Sequence, residues 1–114
     1  MLGEVTDYPL ENSRIPLSHE LFASRVLILT DMPKTVTLRA EKGHKQVTVT
    51  YPDMNYLGIW KCLGTQAPYV CIEPWSGVSA RVGIVEDYGQ QPDMIHLPAG
   101  KRYENNWSIQ ITEG

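Results

Sequence analysis

The chain has 114 residues, 42% of them hydrophobic, with two cysteines and a formal net charge of −3. That length suits one domain, large enough to bury roughly two-thirds of the surface its unfolded chain exposes. The acidic balance argues against a nucleic-acid partner, because phosphate binding needs a basic patch, and the loose cluster Lys42, His44 and Lys45 is broken by Gly43. No apolar run reaches membrane-spanning length and no signal-peptide pattern opens the chain, so a cytoplasmic location is the default expectation.

In chain order, residues 17–23 are the one stretch with helical character, with Ser18 placed to cap a turn. Residues 25–30 (RVLILT) form a continuous apolar, β-branched run. Residues 35–40 alternate with Val36 and Leu38 on one face, and residues 45–51 alternate with Val47 and Val49 inward. The Gly-bearing loop between these two runs predicts a β-hairpin, which Pro52 and Asp53 close.

Residues 56–62 are predicted as a strand that puts Tyr56, Gly58 and Trp60 on one face. Residues 69–73 are a second strand, with Tyr69, Cys71 and Glu73 sharing a face. Residues 76–93 have no sustained period and are expected to form a long, exposed, mobile loop bordering the site. A short strand is predicted over 95–97, a tight turn over 98–101, and a closing strand over 103–112 with Trp107, Ile109 and Ile111 alternating. Many short strands separated by turn signals imply an all-β antiparallel sandwich. Cys62 and Cys71 do not form a close-spaced metal pair, and they are expected to be buried free thiols.

The segment Tyr69-Val70-Cys71-Ile72-Glu73-Pro74-Trp75 carries the strongest chemical signal. It ends an apolar, β-type run with a carboxylate beside a tryptophan. Apolar surroundings disfavour the charged form of a carboxylate, which suits it to general-base work near neutral pH. Trp75 offers a flat apolar face of the kind on which a sugar ring stacks. The bland alternative is a strand end whose Glu points into water.

Four elements in order carry a resemblance: Ser18-His19-Glu20-Leu21-Phe22, Tyr56-Leu57-Gly58-Ile59-Trp60, Cys71-Ile72-Glu73-Pro74-Trp75-Ser76-Gly77 and Ile95-His96-Leu97-Pro98-Ala99-Gly100. Together they resemble the aldose 1-epimerase (galactose mutarotase-like) family, in particular its bacterial LacX-like branch. Members are roughly two to three times longer than this chain, above a single modal domain. The resemblance therefore implies the C-terminal part of a mutarotase-like supersandwich, with strand edges left open to a second copy or a complementing N-terminal segment.

The resemblance also implies an aldohexose or related sugar as substrate and no cofactor. It makes Glu73 the base of the anomerisation. The acid is a His from an earlier segment that nothing in this sequence matches, so the chain alone is expected to be inactive. His19 lies where more distant mutarotases carry an Asp-His pair. Ser18 stands in the Asp position, which leaves a sugar contact by His19 and a structural role equally open. Trp75, Trp60 and Tyr56 are the remaining substrate-binding candidates, weighed against ordinary core packing of aromatics in a small sandwich. His44 is read as a solvated turn residue and His96 as a structural residue on a strand face. The competing readings are a carbohydrate-binding sandwich without turnover and a purely structural domain.

Overall fold

The computed structural model describes residues 10, 12–78, 87–91 and 93–113. Among these described residues, six strands make two antiparallel three-stranded sheets. The first sheet contains β1 (Leu27–Leu29), β4 (Tyr56–Trp60) and β5 (Cys71–Trp75), ordered β1-β4-β5. The second contains β2 (Thr35–Arg39), β3 (Lys45–Thr50) and β6 (Ser108–Glu113), ordered β2-β3-β6. The architecture is all-β, as the strand and turn pattern predicts.

The β2–β3 hairpin forms as expected, with Val36 opposite Val49 and Leu38 opposite Val47. Gly43 in its connection has φ of +105°, a conformation that side-chain-bearing residues rarely adopt. β6 extends this register, placing Ile109 opposite Val49 and Ile111 opposite Val47. Period-two alternation makes the sheet two-faced. Its polar face carries threonine pairs, Thr35–Thr50 at 3.1 Å and Thr37–Thr48 at 2.9 Å between hydroxyls. Its apolar face leads into the core at Val49 but is bare along β6, where Ile109 is 56% and Ile111 71% exposed.

The core lies between the sheets. Leu27, Leu57 and Ile59 come from the first, Val49 and Tyr51 from the second and its end, and Phe22 and Met54 from connections. Leu57 is fully buried. Residues 19–22 make a turn rather than a helix. Ser18 Oγ accepts from the Leu21 amide at 3.1 Å, which is the expected capping contact, and the turn delivers Phe22 to the core.

Several expectations need correction. β5 starts at Cys71, two residues later than predicted, because Tyr69 still belongs to the preceding bend. Its amide bonds to Ala67 O at 2.9 Å and its hydroxyl accepts from the Cys62 amide at 2.7 Å. β5 then continues through Pro74, which an edge strand tolerates because an outward-facing position needs no ladder N–H.

Residues 95–97 form no strand. Ile95 and Leu97 are exposed, and His96 lies on irregular backbone rather than on a strand face. The closing strand starts at Ser108, since the Asn106 amide donates to Asp53 Oδ2 at 2.7 Å instead of joining the ladder. Within the predicted loop, Tyr88–Gln90 is a 3₁₀ turn, capped by Asp87 Oδ1 accepting from the Gly89 amide at 2.7 Å. The rest of that expected mobile loop at 79–86 and 92 lies outside the described residues. Neither cysteine is buried as expected: Cys62 is exposed and Cys71 half-buried, and both are free thiols.

Tyr51 supplies a stability prediction. It is 2% exposed, and burial pushes its phenol above the ordinary value of 10.0. As the pH rises past that value, the unfolded chain loses this proton before the folded one does. The Tyr51 contribution is therefore complete below the unfolded value and shrinks as pH climbs toward the folded one. Urea unfolding should show midpoints falling over this alkaline window, with a shallower fall in Tyr51→Phe. An identical fall in the variant would assign the effect to other groups.

Candidate functional site

β4 and β5 bring together four of the five residues that the sequence singles out. In the antiparallel ladder Tyr56 pairs with Trp75, Gly58 with Glu73, and Trp60 with Cys71. Paired residues share a face, so Tyr56, Trp60, Glu73 and Trp75 all stand on one side of the sheet. The other side carries Leu57, Ile59, Ile72 and Pro74, of which Leu57 and Ile59 belong to the core. Tyr56, Trp60, Glu73 and Trp75 are each half-buried. Tyr69, predicted to share this face, lies ahead of the strand.

Gly58 gives the face its shape. A Cβ at this position would sit 2.6 Å from Trp75 Cζ2 and 2.8 Å from Cη2. The indole therefore lies directly over the glycine, in space that any other residue would fill. From there Trp75 Nε1–H donates to Glu73 Oε2 at 3.3 Å. Among the described residues this indole is the hydrogen-bond donor on the carboxylate, and no cation pairs with it. The result is an apolar aromatic surface bordering a carboxylate held at one oxygen, an arrangement able to accept a proton from a hydroxyl group.

Tyr56 closes one end of the face. Its hydroxyl donates to Asp93 Oδ1 at 2.9 Å, and the backbone of Asp93 lies against Gly77. The far end of the long connection thus returns to the sheet beside Tyr56. Asp93 escaped the sequence reading because nothing in residues 76–93 marks one acid above the others. A cavity of about 270 Å³ shares Tyr56 with this face and is otherwise lined by the connections around Asp31, Lys34 and Asn55; Glu73 and Trp75 do not line it.

His19, the fifth candidate, is placed against Lys61, with its Nδ1 hydrogen-bonded to Lys61 Nζ. Lys61 immediately follows β4, in the alternation of the core-facing Leu57 and Ile59, and is 3% exposed. Lys61 was also missed from sequence, although its parity with Leu57 and Ile59 was the available signal. His44 is exposed in the hairpin connection, as expected, and His96 is also exposed. Among the described residues no histidine is hydrogen-bonded to Glu73.

Two curated proteins of Lactococcus lactis subsp. lactis match this chain: the chromosomal and the plasmid form of Protein LacX. Each is 31% identical over 98 residues, covering 82% of this chain. Over that stretch the chain is similar to LacX. The resemblance read from the sequence motifs is thereby borne out at the level of the branch. The chain spans about a third of the length of these LacX relatives, 32% in each case. No family model matches it, and no solved structure does. Among the described residues no helix is long and apolar enough to cross a membrane.

Proposed function

We propose that this LacX-like chain forms part of an aldose 1-epimerase-type isomerase, interconverting the α and β anomers of a hexose, with Glu73 as the base. The observation that carries the reading is the single face on which Glu73, Trp75, Trp60 and Tyr56 converge, opposite the core. Glu73 takes the proton of the anomeric hydroxyl while an acid protonates the ring oxygen, and the C1–ring-oxygen bond breaks. The C1–C2 bond of the open aldehyde rotates, and closure on the other face returns both protons. Trp75 and Trp60 supply the apolar surface against which the sugar ring lies. No metal or organic cofactor enters this sequence of steps.

The acid is the missing partner. Since no histidine meets Glu73 among the described residues, the reading assigns the acid to chain beyond these 114 residues, of the kind for which the LacX relatives have length. On this view the 114 residues correspond to the C-terminal part of such a protein. Further strands would also cover the bare apolar face of β6. Left uncovered, Trp107, Ile109 and Ile111 favour association with a second copy. The free thiols suit a reducing compartment, and the cytoplasm is the proposed location. The same absence of an acid favours one alternative, a carbohydrate-binding sandwich in which Glu73 only accepts a sugar hydrogen bond.

Sedimentation and polarimetry together test the reading. The 114-residue chain is expected to sediment as a dimer or larger and to leave the mutarotation rate of fresh α-galactose or α-glucose unchanged. Adding a segment that supplies the acid histidine should accelerate it. A well-behaved monomer that accelerates mutarotation in proportion to its own concentration would show that the acid lies within these residues. Binding of the sugar without acceleration, even with the segment present, would select the non-catalytic alternative.

A further inference from the structure

A lysine is almost never fully buried unless its ammonium is paired. Lys61 is 3% exposed, yet among the described residues no carboxylate pairs with it. Its Nζ instead meets three other groups. It donates to Ala67 O at 2.8 Å, stands 5.9 Å from the centroid of the Tyr69 ring, and is hydrogen-bonded to His19 Nδ1. A carbonyl oxygen and an aromatic face both favour a cation. An ammonium carries three N–H donors and no acceptor. The hydrogen bond to His19 therefore runs from Lys61 to the imidazole.

We propose that Lys61 is a positioning residue that holds His19 in the tautomer with Nδ1 as acceptor and the ring proton on Nε2. A ring nitrogen accepting from Lys61 does not carry a proton at the same time. The remaining nitrogen lies across the ring, and the residue is exposed. His19 accordingly presents an N–H donor, and its ligand is an acceptor oxygen. Lys61 has the core-facing parity of Leu57 and Ile59, so this donor is not on the Glu73 face, and the tautomer does not depend on the sugar reading above. The same contact separates His19 from the acid role. A singly protonated imidazole gives up Nε2–H far less readily than an imidazolium does, so His19 binds rather than protonates.

The fold makes this arrangement local. Ser18 Oγ caps the turn at the Leu21 amide, and the Phe22 amide bonds to His19 O at 3.2 Å, so the backbone of His19 is fixed on both sides. Lys61 is fixed in turn by its position directly after β4 and by the bend at Ala67.

Nitrogen-15 NMR of the labelled 114-residue chain tests the assignment. His19 Nδ1 is expected at the shift of an unprotonated ring nitrogen and Nε2 at that of a protonated one. In Lys61→Met the two resonances should move toward each other as the tautomers mix. A wild-type His19 protonated at Nδ1 overturns the proposal, as does a Lys61→Met spectrum identical to wild type. Should Lys61→Met fail to fold, the wild-type spectrum decides alone.

Discussion

Glu73→Gln should lower the mutarotation rate of the complete, acid-bearing protein by roughly 100- to 10,000-fold, the range a positioned base contributes. The fold should survive the change. Glu73 is half-buried on the face opposite Leu57 and Ile59, so the substitution leaves the core untouched. The bond that Glu73 makes among the described residues is as an acceptor, from Trp75 Nε1–H at 3.3 Å. A glutamine carbonyl oxygen in the same place can accept it. The substitution therefore removes proton affinity while keeping size and the indole contact. Polarimetry reads the rate and thermal melting reads the fold. Near-normal turnover with an unchanged melting temperature would rule Glu73 out as the base. Loss of both turnover and fold would show that the carboxylate is structural.

Much of this site was legible because strand periodicity assigns faces without knowledge of the fold. Tyr56, Gly58 and Trp60 share parity, and so do Cys71 and Glu73; Tyr69, read onto the same face, lies ahead of the strand, and Trp75 joins that face because the strand runs on past Glu73. What periodicity could not supply is the register that puts Gly58 opposite Glu73. Nor does it reveal that the indole of Trp75 lies across that pair. The β2–β3 hairpin was equally readable, since alternation and a Gly-bearing turn act locally and agree.

Expectations failed where a distant partner overrides a local pattern. Residues 95–97 have strand-like side chains but no neighbouring strand among the described residues. The stretch before Ser108 gives its Asn106 amide to Asp53, 53 positions away in sequence. Lys61 reads as an ordinary polar residue after a strand, and only the packing of the 18–23 turn beneath it turns it into a buried ammonium. Along β6 the alternation was correct but its consequence was not visible. An apolar face is buried only if something covers it, and the described residues leave Ile109 and Ile111 exposed.

Gly58→Ala should both destabilise the chain and disturb the site. In an ordinary strand the exchange would help by about 0.5–1 kcal/mol, because glycine loses more backbone freedom on folding. Here the new methyl carbon would lie 2.6 Å from Trp75 Cζ2, closer than such atoms approach. A flat ring pinned on the edge strand cannot yield by rotating a flexible tail, so the indole must move away. Overpacking of this kind costs about 1–3 kcal/mol. The displacement also draws Nε1 away from Glu73 Oε2, so tryptophan fluorescence should change along with melting temperature. The cause can be isolated with a double-mutant cycle. In a Trp75→Ala background the methyl group meets open space where the ring had been, and Gly58→Ala should become neutral or mildly stabilising. An equal cost in both backgrounds would mean that the glycine is required by the β4 backbone itself. The indole would then not be what Gly58 accommodates, and the aromatic surface beside Glu73 would lose its structural basis.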